Sequence, residues 1–450
     1  MKDYFIRRLL LVPVTMLGVT FLVFLITRAA PGGPLEQAMM EAQVATEGGG
    51  SGGKQSGTLD EAALESKEEE YGFDKPVGVA YLQWLGLWRR ERAISKSEFY
   101  ERGEDTLGSD LIQNSDDQTI VLLKGIGREV FVEKEGSKVS QTYYLDNKKE
   151  KPREYGWHVR IETPADRKER WAKREKKAAK NAPDYKYRAV LYQSKFSGVI
   201  QGDFGQSEKF GDPVLSLIKA RVPVALYFGL LTSIITYAVC LPLGIVKAIR
   251  HRSVIDNGTS ILIFVGYSVP GFALGALMVI YLSARIGWFP MFGLDSPELA
   301  HLPWWSWERL SDRAHHTILP LLSYVVGSFA FLTMMMKNSL MDNLAADYVR
   351  TAVAKGVNYR RAVLKHAFRN SIIPVASTLG QLITILVGGS ILIESVFDIQ
   401  GFGLLQFQAL QDRDTPVIMG TLTIAAFLLI VGNILSDLIV AMIDPRVKFN

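Results

Sequence analysis

Two carboxylates lie inside long apolar segments and are the first candidates for chemistry. Glu394 lies near the end of the apolar stretch 372–397, and Asp437 lies within the stretch 417–443. An ionisable group at membrane depth is a functional candidate by default, because placing it in hydrocarbon is costly. Both carboxylates are within about two helical turns of the end of their stretch, so solvation at the membrane surface is the alternative interpretation.

No other set of side chains has the spacing of a metal or nucleotide site. His315 and His316 are neighbours without a partner at helical spacing, and the single cysteine, Cys240, lies in an apolar run. The sequence contains no Gly-x-x-x-x-Gly-Lys-Ser/Thr loop, which is the phosphate-binding signature of many nucleotide sites. We therefore expect no metal and no cofactor on this chain.

The strongest motif lies in the polar stretch 337–371, between two apolar segments. Residues 344–355 are predicted to form a short helix that ends at Gly356, where a left-handed cap is easiest. A second helix with an apolar stripe and basic residues is predicted beyond Val357. A short exposed helix beside a glycine turn is typical of a surface that docks to another molecule. A solvated basic loop would explain the charges but not the stripe or the glycine.

The elements that must position these residues are apolar stretches near the roughly 20 residues that a membrane-spanning helix requires. The predicted spans are 9–27, 222–246, 259–284, 318–336, 372–397 and 417–443. The first is interpreted as a retained helix, since no clear small-x-small cleavage site follows it. The third is interrupted by Pro270-Gly271, so either a packing kink or an internal cavity is expected there.

Six spans place both termini on one side of the membrane. Lysine and arginine beside the spans favour that side as the cytoplasm. The prediction is a first transmembrane helix at 1–30, an extracytoplasmic region at 31–217, a five-helix core at 218–443 and a cytoplasmic tail at 444–450. The loop 337–371 is cytoplasmic in this topology.

Residues 89–197 are predicted to form a small α+β module. Candidate strands lie at 119–123, 129–133, 141–145, 157–161 and 188–192, and a candidate helix lies at 165–182. Charge is polarised, acidic over 31–110 and basic over 148–188. The basic helix is expected either to be solvated or to bind anionic lipid headgroups or an acidic partner.

The stretch Tyr348-Val-Arg-Thr-Ala-Val-Ala-Lys-Gly356 resembles the coupling loop of the permeases of ATP-binding-cassette (ABC) importers. Further motifs are similar to the oligopeptide and dipeptide branch of that family: Gln201-Gly-Asp-Phe-Gly-Gln-Ser207, Ile393-Glu-Ser-Val-Phe-Asp-Ile-Gln-Gly-Phe-Gly-Leu-Leu405 and Asp444-Pro-Arg446. Lys337-Asn338-Ser339 and the terminal Asp-Pro-Arg-x-x-Phe most resemble the subgroup that imports oligopeptides and the peptide-nucleotide microcin C. The resemblance covers residues 1–88 and 198–450.

The resemblance implies an all-α membrane protein: a six-helix type I ABC importer transmembrane domain with an inserted α+β extracytoplasmic module. It implies a permease subunit for oligopeptides or peptide conjugates in a bacterial inner membrane. The implied partners are a second homologous permease, ABC ATPase subunits that hold ATP and magnesium, an extracytoplasmic peptide-binding protein and membrane lipid. No nucleic acid is expected.

Two features depart from the family pattern. Arg350 stands where the general importer loop has an acidic residue, so charge complementarity with the ATPase must be particular to this branch. Residues 89–197 separate segments that are almost contiguous in family members.

Three groups of site residues follow from the resemblance. The implied ATPase-coupling residues are Tyr348, Arg350, Thr351, Ala352, Lys355, Gly356 and Val357. The translocation-path candidates are small, aromatic or weakly polar: Tyr237, Tyr267, Ser268, Pro270, Tyr324, Gln381 and Thr384. The candidates for an outer gate or binding-protein contact are Glu394, Phe397 and Asp398.

Three other functions are alternatives to this one. A permease for another small solute, such as a nickel chelate, is one of them. A secondary transporter should show coupling-ion carboxylates at mid-membrane and an inverted repeat, and the sequence shows neither. A membrane-anchored receptor would leave the long cytoplasmic loop without a purpose.

Overall fold

The computed structural model describes residues 2–29, 33, 56–99, 119–125, 128–144, 147, 150–175, 182–378 and 390–443. The chain divides into two units. The first comprises Met1–Ala30 and Gly205–Asn450, and the second comprises Pro31–Phe204. The second unit includes the whole of the predicted module 89–197.

The helices and strands are numbered in chain order. The described helices are α1 (Lys2–Ala29), α2 (Ser56–Tyr71), α3 (Val77–Leu85), α4 (Pro164–Glu175), α5 (Val214–Ile249), α6 (Val254–Ser268), α7 (Gly271–Met278), α8 (Trp307–Ala345), α9 (Asp347–Ala354), α10 (Tyr359–Arg361), α11 (Phe368–Ser377), α12 (Ile391–Phe397), α13 (Phe402–Gln411) and α14 (Thr415–Ile443). A π-helical turn extends α7 over Val279–Arg285, and another joins α10 to α11 over Ala362–Ala367. The described strands are β1 (Arg90–Glu98), β2 (Thr119–Gly125), β3 (Arg128–Glu135), β4 (Lys138–Tyr144), β5 (Trp157–Glu162) and β6 (Arg188–Lys195).

Four described helices of the first unit are long and apolar enough to cross a membrane, namely α1, α5, α8 and α14. They contain the predicted spans 9–27, 222–246, 318–336 and 417–443. These four predictions are therefore confirmed as helices of spanning length.

The third predicted span is two helices rather than one. α6 and the extended α7 meet at an angle of 87°. Val269 has an extended backbone with φ −98° and ψ 121°, and Pro270 lacks the N–H that a continuing helix would use. The interruption predicted at Pro270-Gly271 is confirmed, and the pair forms one broken span or a re-entrant loop.

The fifth predicted span, 372–397, is described only at its ends. α11 carries its beginning and α12 its end, while residues 379–389 lie outside the described part of the chain. The number of spans therefore stays a prediction. The described residues hold four spanning helices, or five if the bent pair is one span.

α8 is the central helix of the first unit, since it packs against α5, α6, α7 and α11. Two glycines, Gly244 of α5 and Gly271 of α7, allow the close approach of their helices to α8. A Cβ built on Gly244 would lie 2.7 Å from Met336 Cβ, and one built on Gly271 would lie 2.4 Å from the carbonyl oxygen of Ser323. A larger side chain at either position would force neighbouring helices apart.

Ion pairs hold the loop 286–306 to α8. Asp295 Oδ2 lies 3.1 Å from Arg309 Nη2 and 2.5 Å from Arg313 Nη2. Hydrogen bonds from Arg313 and then Arg309 outweigh partial burial and keep the pKa of Asp295 below its usual value. The same region carries exposed tryptophans, as an interfacial aromatic belt requires: Trp304, Trp305 and Trp307.

The second unit contains two three-stranded antiparallel sheets, ordered β1-β6-β5 and β2-β3-β4. The five predicted strands are confirmed as β2 to β6. The sequence does not predict β1, because Arg90–Glu98 is dominated by charged and small polar residues. Its partner β6 supplies the buried residues Ala189, Val190 and Leu191.

The acidic and basic parts of the second unit form ion pairs with each other, between α2 and the arginines of α4 and β6. Glu65 Oε2 lies 2.6 Å from Arg188 Nη1, and Glu69 Oε1 lies 3.6 Å from Arg170 Nη1. Arg174 of α4 pairs with a third glutamate of α2. The acidic partner expected for the basic helix is therefore in the same chain.

A buried carboxylate links α4 to the sheet. Glu162 Oε2 lies 2.6 Å from Arg188 Nη2 and 2.8 Å from Arg170 Nη2. Burial alone would raise the pKa of Glu162, but the hydrogen bonds and charges of the two arginines lower it to about 2. The expectation that α4 is a solvated helix is thus wrong for Arg170 and for the buried Arg167, whereas Lys173 is exposed.

The two ends of the predicted module meet. β1 and β6 pair so that Arg90 faces Lys195. A Cβ built on Gly198 would lie 2.4 Å from both the Gly86 nitrogen and the Trp84 carbonyl oxygen. The chain therefore enters and leaves the module at adjacent points.

Removal of residues 89–197 should leave a chain that still inserts into the membrane, because the flanking segments are already in contact and closure of a short linker costs little. Membrane association after alkaline extraction, followed by size-exclusion chromatography in detergent, measures this. The deletion removes the basic partners of Glu65 and Glu69. A second deletion variant with Glu65→Gln and Glu69→Gln should therefore aggregate less. Loss of insertion in both variants would show that the module is integral to the fold.

Candidate functional site

The predicted coupling loop begins where α8 ends. Ala346, with φ −71° and ψ 147°, separates α8 from α9. The predicted helix 344–355 thus starts later than expected, because Leu344 and Ala345 complete α8. Gly356 has φ +87°, so the left-handed cap predicted there is confirmed.

α9 is held to the rest of the unit by Val349. This side chain is 3% exposed and belongs to a cluster with Met336 and Leu340 of α8. Ala362 and Ala367 of the second π-helical turn complete the contact. α9 thus contacts both α8 and this turn, with Val349 in the shared apolar cluster.

The outer surface of the loop combines apolar and basic side chains. The coupling residues predicted from the sequence are exposed or half-buried: exposed are Tyr348, Arg350, Thr351, Lys355 and Gly356, and half-buried are Ala352 and Val357. Val353 and Tyr359 add exposed apolar surface beside them. This mixture, with an arginine and two tyrosines, is typical of a protein-binding surface.

A buried ion-pair cluster lies near the end of α8 that leads into this loop. Asp256 of α6 accepts hydrogen bonds from Lys337 of α8 through both carboxylate oxygens, at 2.7 and 2.8 Å. Lys247 of α5 lies 3.1 Å from Asp256 Oδ1 and is 0% exposed. One carboxylate thus joins three helices.

The neighbouring polar groups satisfy the rest of the cluster. Lys247 Nζ donates to Thr259 Oγ1 at 3.0 Å and to Ser260 Oγ at 2.7 Å. It also donates to the carbonyl oxygen of Asp256 at 2.8 Å. The backbone N–H of Arg252 donates to Asp256 Oδ2 at 3.0 Å. A buried charge is tolerated only when it is paired and hydrogen-bonded in this way.

Sequence reasoning missed this cluster. Lys247 and Lys337 adjoin the predicted spans 222–246 and 318–336 and therefore fit the basic residues expected beside spans, and the predicted third span begins after Asp256. The available signal was Ser253-x-x-Asp256 before an apolar run, which is a capping-box pattern. The structure shows this cap, since Ser253 Oγ accepts from the backbone N–H of Asp256.

Glu394 is 2% exposed, so its solvation at an interface is ruled out. Its Oε2 accepts from the backbone N–H of Leu404 at 2.7 Å, and its Oε1 accepts from the Tyr324 hydroxyl at 3.3 Å. A Cβ built on Gly401 would lie 2.5 Å from Glu394 Oε2. Glycine is needed there because the carboxylate fills that space to cap α13.

The other two outer-gate candidates differ in exposure. Phe397 is buried and packs with Phe228 and Leu319. Asp398 is exposed, has φ +49° at the end of α12, and accepts a hydrogen bond from Gln400 at 3.0 Å. Of these three candidates, Asp398 alone presents its side chain at the surface.

The translocation-path candidates fall into three groups. The hydroxyl of Tyr237 is 2.8 Å from Thr378 Oγ1, and that of Tyr324 is committed to Glu394. The second group is exposed on the bent pair and comprises Tyr267, Ser268 and Pro270. The third group, Gln381 and Thr384, lies outside the described residues.

Asp437, the other intramembrane carboxylate, pairs with Arg8 of α1. Its side chain is partly exposed, unlike that of Glu394. This ion pair joins α1 to α14.

The region that holds these clusters matches a known family. Residues 240–449 match the family described as "binding-protein-dependent transport system inner membrane component". The match includes the predicted coupling loop, Asp256 and Glu394, and it supports the expected fold of an ABC importer transmembrane domain.

Individual relatives are similar over more than half of the chain. The oligopeptide transport system permease protein AppB of Bacillus subtilis is 36% identical over 270 residues, which cover 60% of this chain and 82% of that protein. The inner membrane ABC transporter permease protein YejB of Escherichia coli O157:H7 is 39% identical over 253 residues, or 56% of this chain and 69% of that protein. The peptidoglycan transport system permease protein YejB of Agrobacterium fabrum is 38% identical over the same shares. The resemblance derived from the motifs is confirmed.

Asp256→Asn should destabilise the first unit by about 3–5 kcal/mol, because it leaves two buried lysines without a counter-charge. Thermal unfolding of the detergent-solubilised chain measures the change. Asp342→Asn, at an exposed acidic position of α8, is the matched control and should leave the transition unchanged. Equal transitions for Asp256→Asn and the unmodified chain would contradict the role given to the cluster.

Proposed function

We propose that the chain, which belongs to the family of binding-protein-dependent transport system inner membrane components, is a permease subunit of an ATP-driven importer of oligopeptides or peptide conjugates. The observation that carries the proposal is the exposed α9–Gly356 loop on its buried Val349 anchor, in a chain whose relatives are named as permeases. The chain is a transport subunit and is not itself an enzyme.

In this proposal α9 is the lever to which a partner ATPase binds. ATP and magnesium are held by the ATPase subunits. Closure of two ATPase domains would move α9, and Val349 would transmit that movement to α8 through Met336 and Leu340. A switch of this kind requires a rigid element whose contacts differ between two states.

The loop surface also indicates the chemistry of its partner. Arg350 and Lys355 are exposed beside Tyr348 and Val353. An ATPase groove with acidic side chains around an apolar centre would complement this surface. With Arg350 in place of an acidic residue, the charges of α9 and the ATPase would be exchanged, while α9 would still act as the lever.

A second homologous permease completes the translocation cavity in this proposal. The exposed Tyr267, Ser268 and Pro270 of the bent pair supply part of its lining. They carry no formal charge, which suits a cavity that accepts peptides with many side chains. An extracytoplasmic binding protein supplies selectivity. Conjugates such as microcin C are the narrower substrate candidate, and a nickel chelate is the alternative.

The proposed topology keeps the direction derived from the basic residues. Residues 31–217 are extracytoplasmic, both termini are cytoplasmic, and the loop 337–371 faces the cytoplasm of a bacterial cell. The exposed loop residues support this arrangement, because cytoplasmic loops are enriched in lysine and arginine.

Reconstitution with a peptide-binding protein and ATPase subunits tests the function. ATP hydrolysis should be faster with peptide-loaded than with empty binding protein, and labelled peptide should accumulate inside vesicles. Stimulation by a sugar, a metal chelate or a single amino acid, and by no peptide of a diverse library, would contradict the peptide assignment. It would leave the importer assignment intact.

Gly356→Val should uncouple ATP hydrolysis from transport or prevent assembly with the ATPase. A β-branched residue at φ +87° costs about 1–3 kcal/mol of backbone strain. No heavy atom of the surrounding chain lies within 4 Å of a Cβ built at Gly356, so the substitution strains the backbone without a clash of that Cβ inside this chain. Gly356→Asn is the matched control, since asparagine tolerates the left-handed region. Transport by Gly356→Val at the unmodified rate would show that the loop is not the lever.

The proposed topology predicts opposite labelling of two exposed positions. Ser137→Cys and Asn358→Cys, each in a Cys240→Ser background, should react with an impermeant thiol reagent from opposite sides of the membrane. Both positions are accessible in the folded chain, so failure to label would not arise from burial. Labelling from the same side would contradict the six-span topology.

A further inference from the structure

Two segments at the ends of the predicted module carry large apolar side chains on their surface. Leu87 and Trp88 follow α3, and Phe196 and Ile200 follow β6. Their exposed fractions are 52% and 55% for the first pair and 54% and 59% for the second. These four residues are called the neck patch.

The backbone beneath the neck patch is fixed. The N–H groups of Leu87 and Trp88 both donate to the carbonyl oxygen of Leu82, at 2.9 and 3.1 Å. Gln201 Nε2 donates to the Gly86 carbonyl oxygen at 3.0 Å and ties the second segment to the first. The contact of Gly86 with Gly198 leaves no room for a side chain between the segments. The apolar surface is therefore preformed.

Basic side chains border the patch. The guanidinium carbon of Arg89 lies 5.4 Å from the centre of the Phe196 ring. Arg89 and Lys195 are both exposed. Tryptophan and phenylalanine bordered by basic residues are the composition of a surface that inserts its rings at the boundary between acyl chains and headgroups. The ammonium and guanidinium groups then reach the headgroup phosphates.

The connecting chain limits how far the neck patch can lie from α5. Residues 202–213 separate Gln201 from α5, a helix of spanning length. Even a fully extended segment of that length reaches only about 40 Å. By contrast, the arginines of α4 are committed to glutamates of the same unit, so the basic helix is a poor lipid site.

We propose that the neck patch inserts into the interface of the phospholipid bilayer and anchors the second unit at the membrane surface. The apolar rings leave water, and Arg89 and Lys195 bind lipid phosphate. A bilayer is the partner that this composition fits, because aromatic rings and basic groups together match the boundary between acyl chains and headgroups. The proposal does not depend on which solute the importer carries.

Spin labels report whether lipid covers the patch. Leu87→Cys and Ile200→Cys, each in the full chain with Cys240→Ser, are labelled and reconstituted into vesicles of phosphatidylethanolamine and phosphatidylglycerol. Collision rates with oxygen, which concentrates in lipid, and with a water-soluble nickel chelate are measured. The oxygen-to-nickel ratio should be several-fold higher at both positions than at Asp184→Cys, whose parent side chain is fully exposed beside β6 at the end far from the neck.

A second pair of variants separates insertion from a general change in fold. Trp88→Ser should lower the ratio reported by the label at position 200, whereas Ile94→Ser, at an exposed apolar residue of β1, should not. A ratio at positions 87 and 200 equal to that at 184 would overturn the proposal, because the patch would be in water. Low collision rates with both reagents would also overturn it, because a protein would then cover the patch. An unchanged ratio in Trp88→Ser would count against anchoring by this patch.

Discussion

The carboxylate of Asp256 is the interaction on which the arrangement of the first unit depends. Apolar helices in a bilayer gain little from the hydrophobic effect between them, so packing and polar contacts must fix their positions. Asp256 joins α6 to Lys337 of α8 and to Lys247 of α5. It stands where the bent pair begins, and Lys337 lies on the helix that continues into α9. The proposed cavity and the proposed lever thus share one fixed point.

A second buried carboxylate, Glu394 of α12, also links several helices and contacts α8 at a different position. Glu394 accepts from Tyr324 of α8 and from the N-terminal backbone of α13. The motif from Glu394 to Gly403 thereby acquires a physical meaning: the carboxylate caps a helix, and the glycines leave space for it. In both cases a buried carboxylate is hydrogen-bonded by groups from several helices, which makes each cluster specific for one arrangement of the bundle.

Local patterns predicted the parts of this chain that depend on local physics. Hydropathy located the four long helices, Pro270 located the bend, and Gly356 located the left-handed cap. The Asp256 cluster was not predicted, because its members are separated by 81 positions from Asp256 to Lys337 and meet only in the folded bundle. The hydrogen bond from Tyr324, a translocation-path candidate, to Glu394 was not predicted for the same reason, since the two residues are 70 positions apart in sequence.

The second unit shows how an extra domain can be accommodated by a transport fold. It lies outside the region 240–449 that matches the family, so its folding must not disturb the elements that the family shares. Within this unit, the segments that flank residues 89–197 meet at Gly86 and Gly198, so the chain enters and leaves the module at adjacent points. Its opposite charges pair internally, with Glu162 and Glu65 both bound to Arg188, so the acidic and basic segments do not require an external counter-charge. Adjacent entry and exit points and internally paired charges together explain how the transport fold can accommodate such an insertion.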